Sequence, residues 1–248
     1  NPTGGFEGTI ALSADPRLGL PPQVAYAANE TGVMSIPCVC PAEATYRIDA
    51  RAAHMQATSN PIECSARYAL RRYWGDLHGQ SESTVGTNTV ADYFRFARDK
   101  ACVDFCSHQG NDFQLRREDW AEIQREVRAH DEPGRFVTLL GYEWSGNTGG
   151  GGDHNVWYLG DDEPIHRSGH ALIDDESDVS TDRYPIESLY EELRGRDVVL
   201  AAHVGGRRAD LTRHDEGLRR LVEVYSAWGE FEWMLTESLR LGHTVGVV

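Results

Sequence analysis

The sequence lacks any apolar run long enough to span a membrane, and it lacks a basic segment followed by an apolar stretch, as in a secretory signal peptide. Positive charge is also scarce. The chain has 24 lysine and arginine residues and 39 aspartate and glutamate residues, which gives a net charge of −15. Nucleic-acid backbones and anionic membranes attract clustered positive charge. We therefore expect a soluble globular protein with neither of them as a partner.

Cysteine is sparse and odd in number, with five residues in 248. Cys38 and Cys40 are too close on an extended chain to bridge each other readily, whereas Cys64 could pair with either if the protein is exported. Cys102 and Cys106 flank a predicted strand, and we expect both to be small buried hydrophobic residues. The pattern leaves both a cytoplasmic and an exported location open, and it says nothing about oligomeric state.

A nucleotide-binding P-loop is absent as well. The glycine run at residues 149–152 lacks the ordered spacing and the trailing Lys-Ser that such a loop requires. It is either the flexible tip of a hairpin or a loop whose backbone approaches a ligand, since glycine permits both. ATP is therefore not an expected ligand.

The chain divides by pattern near residue 70. Residues 1–70 are rich in proline, glycine and alanine, with short alternating segments and no long amphipathic helix, which predicts a small β-rich N-terminal region. From residue 71 to 248, predicted strands and helices alternate, which favours an α/β domain with a parallel sheet or barrel. The predicted helices cover residues 89–98, 117–130, 185–195 and 231–241. Residues 160–183 are acidic and predict an exposed excursion.

Residues that can bind metal recur beside the predicted strands. Asp76, His78 and Gln80 alternate along one strand and would share a face. Imidazole and carboxylate groups suit Zn, Mn or Fe, so the set predicts a site for one to three divalent ions. The predicted ligands are His78, His108, Glu143, His154 and His203, with Glu143 placed to bridge two ions. The remaining histidines are interpreted as solvated, namely His54, His130, His166, His170, His214 and His243.

Five segments taken together resemble the DUF3604 family, which belongs to the polymerase-and-histidinol-phosphatase (PHP) superfamily. The segments cover residues 75–81, 107–112, 141–144, 152–156 and 222–226, and the resemblance spans about residues 60–248. It implies a distorted (β/α)7 barrel with a di- or trinuclear metal centre that hydrolyses phosphoesters. A last predicted strand ends at Val248 without the closing Asp-x-His of the superfamily, so we expect a barrel that is incomplete at its C-terminal end.

The resemblance also assigns roles to individual residues. It implies metal ligation by His78, His108, Glu143, His154 and His203. Gln80 stands where the superfamily has a second histidine, so it would be a weaker, neutral oxygen ligand or no ligand.

The expected function is metal-dependent hydrolysis, with phosphoesters as the leading substrate class and two or three Zn, Mn or Fe ions as cofactors. Glu143 or Asp76 would orient the attacking water. Arg207 and Arg208 would either clamp a small anionic substrate or be surface charges on a loop. Two alternatives stay open: hydrolysis of a carboxylic ester, amide or carbamate, and a non-catalytic module that binds a metal or another ligand.

Overall fold

The computed structural model describes residues 6–27, 32–67 and 70–248, and the chain forms two compact units, Asn1–Arg72 and Tyr73–Val248. Among the residues described, no helix is both long and apolar enough to cross a lipid bilayer.

The first unit is built mainly from short strands. These are β1 (Gly8–Ser13), β2 (Gln23–Tyr26), β3 (Ala44–Tyr46), β4 (Asp49–Ala52), β5 (Met55–Thr58) and β6 (Ile62–Cys64). Four of them form an antiparallel sheet in the order β2-β1-β4-β5, and β3 and β6 form a separate antiparallel pair. A disulfide joins Cys40 to Cys64, while Cys38 is free and exposed. Of the two pairings that the sequence leaves open, the structure contains the one with Cys40.

The second unit contains a seven-stranded sheet with helices packed against it. Its elements are β7 (Gly75–Gly79), α1 (Val90–Phe96), β8 (Phe105–His108), α2 (Arg117–His130), β9 (Val137–Ser145), β10 (Asp153–Tyr158), α3 (Ile186–Leu193), β11 (Val198–Ala202), β12 (Arg219–Val222), β13 (Tyr225–Ser226), β14 (Gly229–Glu230), α4 (Glu232–Arg240) and β15 (Gly246–Val247). The sheet order is β15-β12-β11-β10-β9-β8-β7, and β13 and β14 form a separate hairpin.

The expectation of an α/β domain that forms a distorted (β/α)7 barrel is wrong. Strands β7, β8 and β9 are parallel and joined through α1 and α2, as the alternating pattern predicts, but β10 is antiparallel to both β9 and β11. The connection at residues 146–152 is too short for a crossover helix, so β10 turns back along β9. Helix makes up only about 23% of the described residues, and the mixed sheet curls into a half-barrel. In the part of the chain that is described, its edge strands β7 and β15 do not pair with each other.

The main hydrophobic core determines which face of the sheet is free for a site. Ile123 and Val127 of α2 pack with Leu140, Tyr142 and other buried side chains of β9 and β10. Helix α2 covers the predicted residues 117–130, and its apolar residues recur every three or four positions, so they form one buried stripe. Side chains alternate along a strand, so residues between these core positions point to the opposite face. That face carries the polar residues described below.

The glycine run packs closely against a neighbouring loop. Gly152 has a φ of +76°, and a Cβ atom there would collide with the backbone of Arg208 and Ala209. Asp210 N also donates a hydrogen bond to Gly151 O at 2.7 Å. The glycines at 151 and 152 therefore allow two loops to approach each other, which fixes the start of β10.

Candidate metal centre

Strands β9 and β10 place three polar side chains on one face of the sheet. Asn155 lies directly opposite Glu143, and Asp153 lies opposite Ser145. Residues opposite each other on antiparallel strands share a face, as do residues two apart on one strand. Glu143, Asp153 and Asn155 are all buried, and together they line the same part of the half-barrel.

One oxygen of Glu143 faces the strand β7 side. Glu143 Oε2 lies 3.3 Å from His78 Nε2 and accepts a hydrogen bond from Gln80 Nε2 at 3.1 Å. His78 and Gln80 are two residues apart at the end of β7, so their side chains reach the same point, as the alternation predicts. The Gln80 carbonyl oxygen accepts instead from Thr84 Oγ1 at 2.6 Å.

The other oxygen of Glu143 faces a second set of donor atoms. A Cβ atom built on Gly205 would lie 2.6 Å from Asp153 Oδ2, 2.9 Å from Glu143 Oε1 and 3.0 Å from His203 Nε2. Three ligand atoms thus converge on one small volume that any residue larger than glycine would fill. His203 Nε2 is buried and has no hydrogen-bond partner among the residues described. Other buried imidazole nitrogens, such as His154 Nε2, also lack a partner among these residues, so it is the two carboxylate oxygens beside His203 Nε2 that make this position suit a cation.

Glu223, at the end of β12, contacts the far side of both imidazoles. Its oxygens lie 2.9 and 3.0 Å from His78 Nδ1, and Oε2 lies 3.1 Å from His203 Nδ1, close enough for an ion pair although not aligned for a linear hydrogen bond. Asn155 Nδ2 donates to the same carboxylate at 2.6 Å. A carboxylate that accepts a hydrogen bond from the Nδ1–H of an imidazole fixes the tautomer of that ring, and its Nε2 is then free to bind a metal ion.

The electrostatics of these groups favour a bound cation. Burial lowers the pKa of His78, but hydrogen bonds with Glu143 and Glu223 outweigh it and raise that pKa to about 10. Burial is the main cause that raises the pKa of Asp153 to about 6, and the negative charge of Glu143 is the second. The hydrogen bonds and positive charge of Arg207 lower this pKa but do not outweigh them. Carboxylates gathered away from water need a compensating positive charge. A divalent ion at each set of ligand atoms would supply it.

We expect the change Glu223→Gln to lower the affinity for Mn²⁺ by about 10- to 100-fold, because glutamine keeps the shape but loses the negative charge that orients both imidazoles. Isothermal titration calorimetry of the metal-free protein would measure the change. Glu230→Gln, at an exposed position on β14, is the matched control and should bind like the unaltered protein. Equal affinities for all three proteins would contradict the role of Glu223.

Two of the predicted ligands lie outside this group. His108 is fully buried on β8, and its Nε2 hydrogen-bonds Ser81 Oγ at 2.9 Å; burial lowers its pKa to about 4. His154 Nδ1 lies 3.0 Å from Gly152 O, and its ring contacts Trp144 on the core side of the sheet. The group of metal-competent atoms that lie within 4.8 Å of one another comprises His78, Glu143 and His203.

The other predicted site residues, Asp76, Arg207 and Arg208, differ in how close they lie to the ligand group. Asp76 is exposed, and its Oδ1 accepts from the backbone N of His78 at 3.0 Å. Arg207 donates from Nε to Asp153 Oδ1 at 2.7 Å, so it contacts a ligand candidate directly. The guanidinium of Arg208 lies 4.1 Å from the centre of the Trp233 ring. Arg207 therefore positions Asp153, whereas Arg208 is engaged with α4.

A second group of metal-competent residues is chemically unsuited to a metal ion. His214, Glu216 and His243 lie together, with the two imidazole rings stacked at 3.9 Å. Arg219 Nε donates to His214 Nδ1 at 2.9 Å, so the neutral ring carries its proton on Nε2. That nitrogen lies 3.3 Å from Glu216 Oε1 and has no lone pair to offer a cation. The group is therefore a polar contact that involves the loop before β12 and does not bind metal.

Two cavities open beside the ligand group. One, of about 450 Å³, is lined by Asp76, His78, Gln80, Val85, Gly86, Glu143, Glu223, Tyr225, Ser226, Ala227 and Trp228. The other, of about 510 Å³, is lined by Tyr73, Trp74, Gly75, Asp76, Leu77, His78, Phe105, Trp157, Glu223, Tyr225, Val247 and Val248. A small molecule in either cavity would contact His78 and Glu223, which line both.

Comparison with known proteins identifies the family. The family model for DUF3604, described as a protein of unknown function, matches residues 50–207, which is more than half of the chain. The chain belongs to the DUF3604 family. The match confirms this part of the resemblance seen in the sequence, whereas no evidence places the chain in the PHP superfamily.

The curated relatives of this DUF3604 chain are themselves uncharacterized. It is 27% identical to an uncharacterized protein of Chlamydia pneumoniae over 179 residues, which covers 70% of this chain and 27% of the relative. Uncharacterized proteins of Chlamydia muridarum and Chlamydia trachomatis are each 26% identical over 208 residues, covering 81% of this chain and 32% of the relative. The chain thus spans about a third or less of these relatives. No solved structure matches it.

Asp153, Asn155 and Glu223 were not assigned to the site from the sequence, although Glu223 lies in one of the segments that carry the family resemblance. Asp153 and Asn155 alternate along β10 in the same way as Asp76 and His78 along β7, and this alternation was a usable signal. Glu223 directly follows β12, as His203 directly follows β11. Carboxylates at strand ends are therefore a signal for Asp153 and Glu223, as histidines are for His203.

Proposed function

We propose that this DUF3604 chain is a metal-dependent hydrolase that acts on phosphoesters at a dinuclear centre. The observation that carries the proposal is the position of Glu143, whose Oε2 lies 3.3 Å from His78 Nε2 and whose Oε1 faces the space beside Gly205. Asp153 and His203 border that space, and ligand atoms of His78, Glu143 and His203 lie within 4.8 Å of one another. Imidazole and carboxylate donors suit Zn²⁺ or Mn²⁺.

The donor set fits a pair of divalent ions in both geometry and charge. His203 Nε2 has no partner in the described part of the chain, and Gly205 leaves the space beside it open. Ions held there would polarise the phosphoryl group and lower the pKa of a water molecule. Glu143 would hold the two ligand sets at a fixed separation, and Glu223 would orient both imidazoles.

Asp76 is the candidate base for the attacking water. It lines both cavities beside His78, and its Oδ1 accepts a backbone hydrogen bond that fixes the carboxylate. In the proposed reaction, the water oxygen forms a bond to phosphorus and the bond from phosphorus to the ester oxygen breaks. Asp76 takes a proton from the attacking water and later releases it to solvent, while solvent supplies the proton with which the alcohol leaves. This is the chemistry that the resemblance to the PHP superfamily implies, here assigned to a half-barrel.

A second candidate is hydrolysis of a carboxylic ester, amide or carbamate. Among the described residues, neither cavity is lined by a lysine or an arginine. A phosphate group would therefore find its positive counterpart only in the metal ions, and this favours an electrophile with less negative charge.

Metal removal and restoration would test the proposal. We expect about two equivalents of Zn or Mn per chain by elemental analysis, and hydrolysis of 4-nitrophenyl phosphate that is lost with a chelator and restored by added Mn²⁺ or Zn²⁺. Hydrolysis of 4-nitrophenyl acetate alone would select the second candidate. A protein that binds no metal and cleaves neither ester after metal addition would exclude both.

A further inference from the structure

Two exposed aromatic side chains stand on a hairpin beside the ligand group. Tyr225 lies in β13, and Trp228 lies in the turn between β13 and β14. Each side chain is 69% exposed, although aromatic side chains gain much by burial. The strands pair in antiparallel register, with Tyr225 opposite Glu230, and Trp228 N donates to Ser226 Oγ at 3.2 Å. The backbone therefore holds the two aromatic residues in defined positions without covering them.

The hairpin forms a wall of the cavity that contains the ligand group. Tyr225 and Trp228 line the same cavity of about 450 Å³ as His78, Glu143 and Glu223. The apolar Val85 lines this cavity too and is also exposed. An apolar surface that continues directly from a polar centre is typical of a ligand site, in which polar groups orient the ligand and aromatic groups bind its remainder.

The charges around the cavity limit what the hairpin can bind. Apart from the imidazole of His78, which would bind a metal ion, the charged side chains that line it, as far as the structure describes the chain, are the carboxylates of Asp76, Glu143 and Glu223. Arg207 is held by Asp153, and Arg208 by the ring of Trp233. These carboxylates would therefore repel any further negative charge on the part of the ligand that lies away from the metal ions, and no lysine or arginine among the described residues lines the cavity to offset the repulsion.

We propose that Tyr225 and Trp228 form a subsite for an uncharged aromatic ring of the substrate, so that the preferred substrates are aryl esters without additional negative charge. The inference rests on the proposed dinuclear hydrolase, because the metal ions must hold the anionic end of the same molecule. The substrate ring stacks on the flat faces of the Tyr225 and Trp228 side chains. Aromatic stacking contributes binding free energy beyond that of the buried apolar area. Multiply phosphorylated compounds are excluded as preferred substrates by the acidic lining.

Binding of two phosphonates to the Mn²⁺-loaded protein tests this subsite. We expect phenylphosphonate to bind about tenfold more tightly than methylphosphonate in isothermal titration calorimetry, because only the phenyl compound can stack on the hairpin. In Trp228→Ala the difference should shrink to less than threefold, with methylphosphonate binding unchanged. The change Phe96→Ala, at an exposed aromatic residue of α1 that lines neither cavity, is the matched control and should keep the tenfold difference. A carboxylate at the 4-position of the phenyl ring should weaken binding relative to phenylphosphonate.

The outcomes separate this inference from the proposed function. Equal binding of the two phosphonates to the unaltered protein, or an unchanged difference in Trp228→Ala, would overturn the aromatic subsite alone. Failure of both phosphonates to bind would overturn the dinuclear phosphoester site and the subsite with it.

Discussion

Replacing Glu143 with glutamine is expected to lower metal-supported hydrolysis of 4-nitrophenyl phosphate by about 1,000-fold, and to reduce bound metal from two equivalents to one or none. The reason is that both oxygens of Glu143 are used. Oε2 lies 3.3 Å from His78 Nε2, and Oε1 faces Asp153 and His203 across the space beside Gly205. An amide can offer an oxygen to one side only, and on the other side its N–H donors would repel a cation.

The matched control is Glu232→Gln, an exposed glutamate on α4 that should leave both metal content and rate unchanged. Elemental analysis after gel filtration and initial rates under saturating Mn²⁺ would measure the two effects. Circular dichroism of both variants would separate loss of metal from loss of fold. Two retained equivalents, with a rate within tenfold of the unaltered protein, would mean that Glu143 does not bridge two ions.

The change Trp144→Ala is expected to destabilise the protein by about 3–5 kcal/mol, which is the usual cost of removing a large aromatic side chain from a packed core. Trp144 is fully buried on β9, where its ring stacks on Tyr184 and its Nε1 donates to Arg183 O at 3.0 Å. Alanine would leave a cavity and an unsatisfied carbonyl. Urea denaturation followed by circular dichroism would give the difference in the free energy of unfolding.

A second tryptophan in the same unit provides the control. Trp228 is 69% exposed, so Trp228→Ala should change the free energy of unfolding by no more than about 0.5 kcal/mol. A similar small change for Trp144→Ala would show that β9 is not packed as described. The contrast also ensures that a loss of phenylphosphonate binding in Trp228→Ala reflects the subsite and not the fold.

The helices of the second unit were predictable because helical periodicity is a local property. Val90 and Phe94 in α1, and Trp120, Ile123 and Val127 in α2, recur every three or four residues, and all are buried. The parallel order of β7, β8 and β9 followed from the same pattern, since a helix between two strands allows a parallel return. Membership of the DUF3604 family was also recognisable from the ordered motifs, and the family match confirms it.

Burial of polar residues was less predictable. His166 and Arg167 lie in the acidic segment at residues 160–183, which predicted an exposed excursion, yet both side chains are buried. Arg167 Nη1 binds Asp178 Oδ2 at 2.8 Å, so the charges of this segment neutralise one another. His130 is buried as well, and the side chain of His214 is only 4% exposed, so the predicted solvation of both is wrong. Cys102 is exposed rather than buried. Composition indicates that charges are present, but whether they face water depends on partners distant in sequence.

The sequence by itself determined the residue types that can bind metal, the strands that carry them and the family. Only the tertiary structure decided which of these residues meet. The half-barrel unites His78, Glu143 and His203 with Asp153 and Glu223, while β10 turns His154 towards the core. The physical reason is that alternation along a strand gives relative faces only. Which face lies inward depends on strand direction and register, and the short turn after β9 set both for β10.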